Sequence, residues 1–479
     1  MANYVNEHPD DLPFQRRVFC NRTLNLRSIQ AIGYDMDYTL VHYEVAEWEG
    51  RAWEHIRQAL VNLGWPVESL VFDPELVTRG LVIDTELGNV VKANRFGYVK
   101  QAMHGSRMME FNELRRTYAR TLVDLSEPRW IFLNTLFSIS EAAMYAQLVD
   151  FLDAGKLPHS LGYSDLYRAV RGALDRAHLE GELKSEIMAD PARFVTLDAD
   201  IVMTLLDQRN AGKKLLLITN SEWEYTRFMM DYAFTRFMPD GMVWQDLFDL
   251  IVVGARKPVF FLDSSPIFEV VNEEGLLKPV VGLPKPGGIY LGGHASLVER
   301  CLKIDGEQIL YIGDHIYGDV SVSKSISRWR TALVLRELEE ELEAEFGSLE
   351  RLSRIAALMQ DKERLEHQFS ALRLDLQRQT AGYGEHTHTS PDVLKSHMAE
   401  LRAKLQEIDA QIGPLASADG SEFNQRWGYL MRAGNDKSHL TRQTERYADI
   451  YMSRVSNLGA YTPFMFFRSP RGSLPHDLD

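Results

Sequence analysis

Cysteine is nearly absent from this chain: Cys20 and Cys301 are the only two in 479 residues. That excludes a disulfide framework and makes a reducing cytoplasm the expected home. Long apolar runs are also missing, and none approaches the roughly 20 residues needed to cross a bilayer. Met1 to Arg17 is polar, carries Pro9 and Pro13, and lacks the apolar centre of a signal peptide. A basic surplus is lacking too. With 68 acidic against 53 basic residues the formal charge is −15, the wrong sign for a nucleic-acid surface. Apolar residues, at 45%, are plentiful enough for a large core divided into more than one structural unit.

One short run carries more chemistry than the rest. In Asp35-Met36-Asp37-Tyr38-Thr39-Leu40 an apolar strand (Ile29, Ala31, Ile32) delivers two carboxylates, two residues apart, into a loop. The first can attack phosphorus, and the second can protonate the leaving oxygen and later activate water. Acidic turns after strands also cap helices, so the run needs company. Three later segments supply it. Lys213 to Ser221 reads as a buried parallel strand ending in Thr219, Asn220 and Ser221, suited to holding phosphate oxygens where a helix begins. Arg256-Lys257-Pro258 follows the apolar run Leu250 to Val253 and offers an ammonium. Gln308 to Asp319 is another buried strand, ending in the glycine-spaced acids Asp314 and Asp319, oxygen ligands of the kind Mg²⁺ prefers.

Together these segments resemble the four motifs of the haloacid dehalogenase (HAD) superfamily. D-M-D-Y-T-L, I-T-N-S, A-R-K-P and Y-I-G-D-H-I-Y-G-D are similar, more closely, to those of the cytosolic purine 5′-nucleotidases, which dephosphorylate inosine and guanosine monophosphates. The resemblance continues through Arg328 to Thr331 and Arg446 to Asp449. It implies Asp35 as nucleophile and Asp37 as general acid and base. Magnesium would rest on Asp35, the main-chain carbonyl of Asp37 and Asp314, with Asp319 behind them and Thr219, Asn220 and Lys257 on the phosphate. It also implies a base-reading helix in which Arg171, Asp175 and His178, at i, i+4 and i+7, share one face, and it places Phe137 against the base. Without the resemblance, Arg171 and Asp175 read as an exposed ion pair and Phe137 as core. The segments Ser321 to Ser325 and Gly434 to Lys437 depart from the family pattern.

The expected fold is α/β: a HAD-like doubly wound parallel sheet with a mainly helical cap inserted between the first two motifs and a helical hairpin after the fourth. The roughly 180 residues between Asp37 and Thr219 far exceed a simple crossover. The expected boundaries are core 1–45, cap 46–204, core 205–335, hairpin 336–413 and a C-terminal segment 414–479. Within the cap, 130–151 and 164–184 read as helices. Leu335 to Gln379 and Leu394 to Ile412 carry near-heptad apolar spacing, the second arm being about five turns long, and read as an antiparallel hairpin able to pair with another subunit. His386 and His388 in its loop lack a third ligand. The expected partners are purine nucleoside monophosphates, with water or a nucleoside accepting the phosphoryl group, and a homo-oligomer is expected. Competing readings are a HAD phosphatase for another small ester, an interaction protein with a vestigial core and, least favoured, a transport ATPase, which Asp37 and the lack of a membrane span oppose.

Overall fold

The computed structural model describes residues 12–158, 160–417 and 420–470. The chain forms two compact units: residues up to Glu339 together with those from Leu430 onward, and residues 340–429. The larger is built on a ten-stranded sheet. Across it lie Phe19–Cys20, Ile450–Met452, Arg330–Val334, Ile309–Gly313, Ala31–Tyr34, Lys214–Ile218, Leu250–Val253, Gly288–Gly292, Ile267–Val270 and Leu277–Pro279. Strands from Ile450–Met452 to Gly288–Gly292 run parallel, and the outer ones are antiparallel. Runs such as Leu215 to Ile218 and Leu250 to Val253 are apolar at successive positions. They are stable only where both faces of the sheet are covered, and every one of these side chains is buried.

The chain leaves this sheet through His42–Tyr43 and returns through Val195–Thr196, and the two pair antiparallel with Tyr43 opposite Val195. Helices predominate in the insert between them, chiefly Val45–Asn62, Ile139–Asp153 and Tyr163–Glu180. The insert also carries a five-stranded antiparallel sheet, ordered Arg107–Met108, Val99–His104, Asn89–Ala93, Val82–Asp84 and Trp130–Phe132. The helix expected over 130–151 therefore begins only at Ile139. Trp130, Ile131 and Phe132, aromatic and β-branched, pair instead with Val82–Asp84. The helix expected over 164–184 breaks at Gly181, whose φ of +71° suits glycine. In the smaller unit the helices Leu349–Ala381 and Pro391–Ser417 lie antiparallel. Lys362 reaches Asp409 at 2.6 Å and Arg402 lies 5.5 Å over the Phe369 ring. Among the described residues no helix is long and apolar enough to cross a membrane.

Two buried histidines are held neutral. Burial, with Arg336 and Arg454 nearby, brings His42 down to about 3, and burial with Arg442 brings His439 down to about 4. Unfolded, each takes a proton near pH 6.5. Between about pH 4 and 6.5 the unfolded chain thus binds more protons, and stability falls as the pH falls through that window. Going from pH 7 to pH 5 is expected to cost about 2 kcal/mol per histidine. Urea unfolding at both pH values checks this, with a flatter dependence expected for the His42→Gln, His439→Gln double variant. An unchanged slope would assign the acid sensitivity to other groups.

Candidate active site

The register of the parallel strands brings the motifs to one edge. Leu217 and Ile312 lie opposite Tyr34, so the residues after Tyr34, Ile218 and Gly313 emerge side by side beyond the carboxyl ends of the strands, where ligands of such sheets bind. The Asp35 amide donates to the Ile312 carbonyl at 2.9 Å, and the Met36 amide donates to Asp35 Oδ1 at 2.8 Å. Carboxylate oxygens of Asp35, Asp314 and Asp319 lie within 4.8 Å of one another, and all three residues are buried. Gly313 makes this approach possible, because a side chain there would collide with the Asp319 carboxylate.

Lys257 balances part of that charge. Its Nζ lies 2.8 Å from Asp35 Oδ1 and 2.7 Å from Asp319 Oδ1, and it donates to the Tyr311 hydroxyl at 3.0 Å. Burial pushes the Asp35 carboxyl well above its usual range; Lys257 opposes the shift, and Asp319, Asp314 and Asp37 add to it. Burial likewise brings Asp314 up to about 7, against the influence of Arg79. Burial alone would lower the Lys257 ammonium, but Asp319 and Asp35 outweigh it and raise the group. Three carboxylates around one ammonium leave a negative surplus that a dication would neutralise. A donor set of oxygens only is the kind Mg²⁺ takes.

Asp37 points into a different set of groups. Tyr43 donates to its Oδ1 at 2.5 Å and Ser221 to its Oδ2 at 2.7 Å, while Lys184 of the insert donates to Ser221 Oγ at 3.2 Å. Asn220 is held against the third motif: its Oδ1 accepts from the Lys257 amide at 2.6 Å and its Nδ2 donates to the Lys257 carbonyl at 3.2 Å. Thr219 Oγ1 accepts from the Ser221 amide at 3.0 Å. Tyr38 and Arg256, next to Asp37 and Lys257, have φ of +52° and +58°, a conformation costing roughly 1–2 kcal/mol for a residue with a Cβ.

The insert reaches the cluster at Asp314, whose Oδ2 accepts from Thr135 Oγ1 at 2.8 Å and whose carbonyl accepts from Arg79. Farther along, Arg171 Nη1 donates to Glu141 at 2.9 Å and its Nε lies 3.2 Å from Asp175 Oδ1. Tyr167 also donates to Glu141, at 3.0 Å. Phe137 packs edge-on against Tyr38 and Trp48, with ring centres 4.7 and 5.5 Å away. The side chain of His178 lies outside the described residues. Sequence reasoning missed Arg79, Thr135, Tyr43, Lys184 and Glu141. Thr135 lies two residues before Phe137, whereas nothing in its own neighbourhood marks Arg79.

A family model described as the 5' nucleotidase family matches residues 18–479. The chain belongs to that family. The human 5'-nucleotidase domain-containing protein 2 is 28% identical over 479 residues, covering 96% of this chain and 85% of its own. Among solved structures, the archaeal β-phosphoglucomutase of Pyrococcus sp. Strain ST 04 covers 64% of this chain and 86% of its own at 12% identity and a TM-score of 0.30. The phosphate complex of CbbY from Rhodobacter sphaeroides covers 64% and 86% at 16% identity and a TM-score of 0.24. The fold is α/β, and the family marks a phosphoric monoester hydrolase of the nucleotidase kind.

In this family member the buried ammonium is central to the electrostatics. Lys257→Met leaves Asp35 and Asp319 without their cation and is expected to destabilise the metal-free chain by roughly 3–5 kcal/mol, as breaking one side of a buried pair does. Urea unfolding in a chelating buffer measures it. A loss below about 1 kcal/mol would mean that the acids shed their charge by taking up protons instead.

Proposed function

We propose that this chain is a Mg²⁺-dependent 5′-nucleotidase that hydrolyses purine nucleoside monophosphates through an aspartyl-phosphate on Asp35. The observation that carries the reading is the grouping of Asp35, Asp314, Asp319 and Lys257 at one edge of the sheet, with Asp37 beside it. Asp35 attacks phosphorus and the ester oxygen leaves with a proton from Asp37. Water then gives a proton to Asp37 and attacks phosphorus, which frees Asp35. Asp37 accepts hydrogen bonds from Tyr43 and Ser221, which fix the orientation of its carboxyl group. Lys257 meets the phosphoryl charge, and Thr219 and Asn220 line its oxygens. Asp35, Asp314 and the main-chain carbonyl of Asp37 would hold Mg²⁺, which when bound would supply the charge neutralisation that lets one anion approach another. Asp319 holds Lys257. A nucleoside in place of water would give phosphoryl transfer.

Base selection falls to Arg171, Asp175 and His178, with Phe137 against the ring. Arg171 already stands between Glu141 and Asp175, which leaves the rest of its fork for O6 and N7 of a 6-oxopurine, while Asp175 accepts from N1–H. Adenine, with an unprotonated N1, would set acceptor against acceptor. The reading includes a cytoplasmic location and a homo-oligomer formed through the helical hairpin expected over 336–413, which sedimentation of the full chain checks.

Phosphate release from IMP, GMP, AMP, CMP and ribose 5-phosphate with Mg²⁺ tests the proposal. IMP and GMP are expected to exceed AMP at least tenfold, Asp35→Asn to abolish turnover, and Asp37→Asn to lower it by roughly 10²–10⁴-fold. Arg171→Ala with Asp175→Ala should erase the preference for the base while sparing ribose 5-phosphate. Turnover indifferent to the base would instead leave a phosphatase for another small ester. No turnover at all would favour an interaction protein.

A further inference from the structure

Asp314 is held by the insert, whereas Asp35 and Asp319 are held by the core. Arg79, whose guanidinium is fully buried, donates to the main-chain oxygen of Asp314, to that of Asn134 at 3.1 Å and to that of Val334 at 3.4 Å, with Glu337 at 3.5 Å. One side chain thereby joins the loops that follow two neighbouring core strands to the residue before Thr135. Thr135 then commits its hydroxyl to Asp314 Oδ2 at 2.8 Å. A carboxylate with one oxygen fixed by a hydroxyl offers the other to a cation in a single orientation, the part outer groups play around metal ligands.

We propose that Thr135 and Arg79 are positioning residues which set Asp314 for Mg²⁺, so that the insert builds part of the metal site as well as standing over it. The inference rests on the phosphatase reading above. Its test is calorimetric titration of the full chain with Mg²⁺ in the absence of substrate, alongside ester hydrolysis at varied Mg²⁺. Thr135→Val, which keeps the shape and removes the hydroxyl, is expected to weaken Mg²⁺ binding about tenfold or more. The metal-free chain should stay folded with a somewhat lower melting temperature, because the buried Asp314 Oδ2 loses its donor; the KM for ester at saturating Mg²⁺ should be unchanged, and the half-saturating Mg²⁺ should rise in step. Thr135→Ser should restore affinity, and Arg79→Lys should retain more than Arg79→Met. Where Arg79→Met fails to fold, the two Thr135 variants decide. Mg²⁺ binding by Thr135→Val within twofold of the parent, in a chain that hydrolyses ester, overturns the positioning role alone. A parent chain that neither binds Mg²⁺ nor releases phosphate overturns the phosphatase reading and this inference with it.

Discussion

The contact on which the rest of the site depends is the ammonium of Lys257 lodged between Asp35 and Asp319. Three acids brought this close in a buried place repel one another, and the fold can hold them only by supplying positive charge at a fixed point. A flexible lysine would not do. Asn220 grips the main chain of Lys257 on both sides, and Tyr311 takes a hydrogen bond from its ammonium while donating its own hydroxyl to the Ile218 carbonyl at 2.8 Å. The second motif therefore locks the third in place through its main chain, and the strand that precedes the fourth supports it from beneath.

Backbone constraints follow from the same crowding. Gly33 lies under the Tyr311 ring, where a Cβ would stand 2.8 Å from a ring carbon, and Gly313 leaves room for the Asp319 carboxylate. Tyr38 and Arg256 sit in the left-handed region beside Asp37 and Lys257. Such conformations persist where surrounding packing over-determines them, and both residues belong to segments fixed by the sheet edge and the aromatic cluster of Tyr38, Tyr43 and Trp48.

The core was legible in the sequence because its signals are local: apolar runs of strand length, each ending in the residues that emerge at the sheet edge. The long arms of the hairpin were legible for a similar reason, since heptad spacing is a property of one segment. The small sheet in the insert was not. Trp130-Ile131-Phe132 is too short a run for periodicity to separate strand from helix, and its partner Val82–Asp84 lies almost fifty residues earlier. Arg171 and Asp175 stand within reach of each other as their spacing required, but the buried Glu141 that anchors Arg171 comes from another helix, and no spacing rule points across that gap. Arg79 is the extreme case: an arginine beside a glycine looks like surface until the fold encloses it.

That enclosure bears on how a ligand enters. The insert is tied to the core at several places, among them the pairing of His42–Tyr43 with Val195–Thr196, Lys184 at Ser221, Asn94 and Arg95 at Asp436, and Arg79 and Thr135 at Asp314. Lifting the whole insert away would strip a buried guanidinium of two core carbonyl partners, those of Asp314 and Val334, and each polar group left unsatisfied costs about 1–3 kcal/mol, more where it is charged. Opening confined to the half-exposed Arg171 and Asp175, with Arg171 left on the buried Glu141, breaks only a contact that water can replace. Access from the side of Arg171 and Asp175, with the tie at Asp314 intact, is the motion that this distribution of buried charge favours.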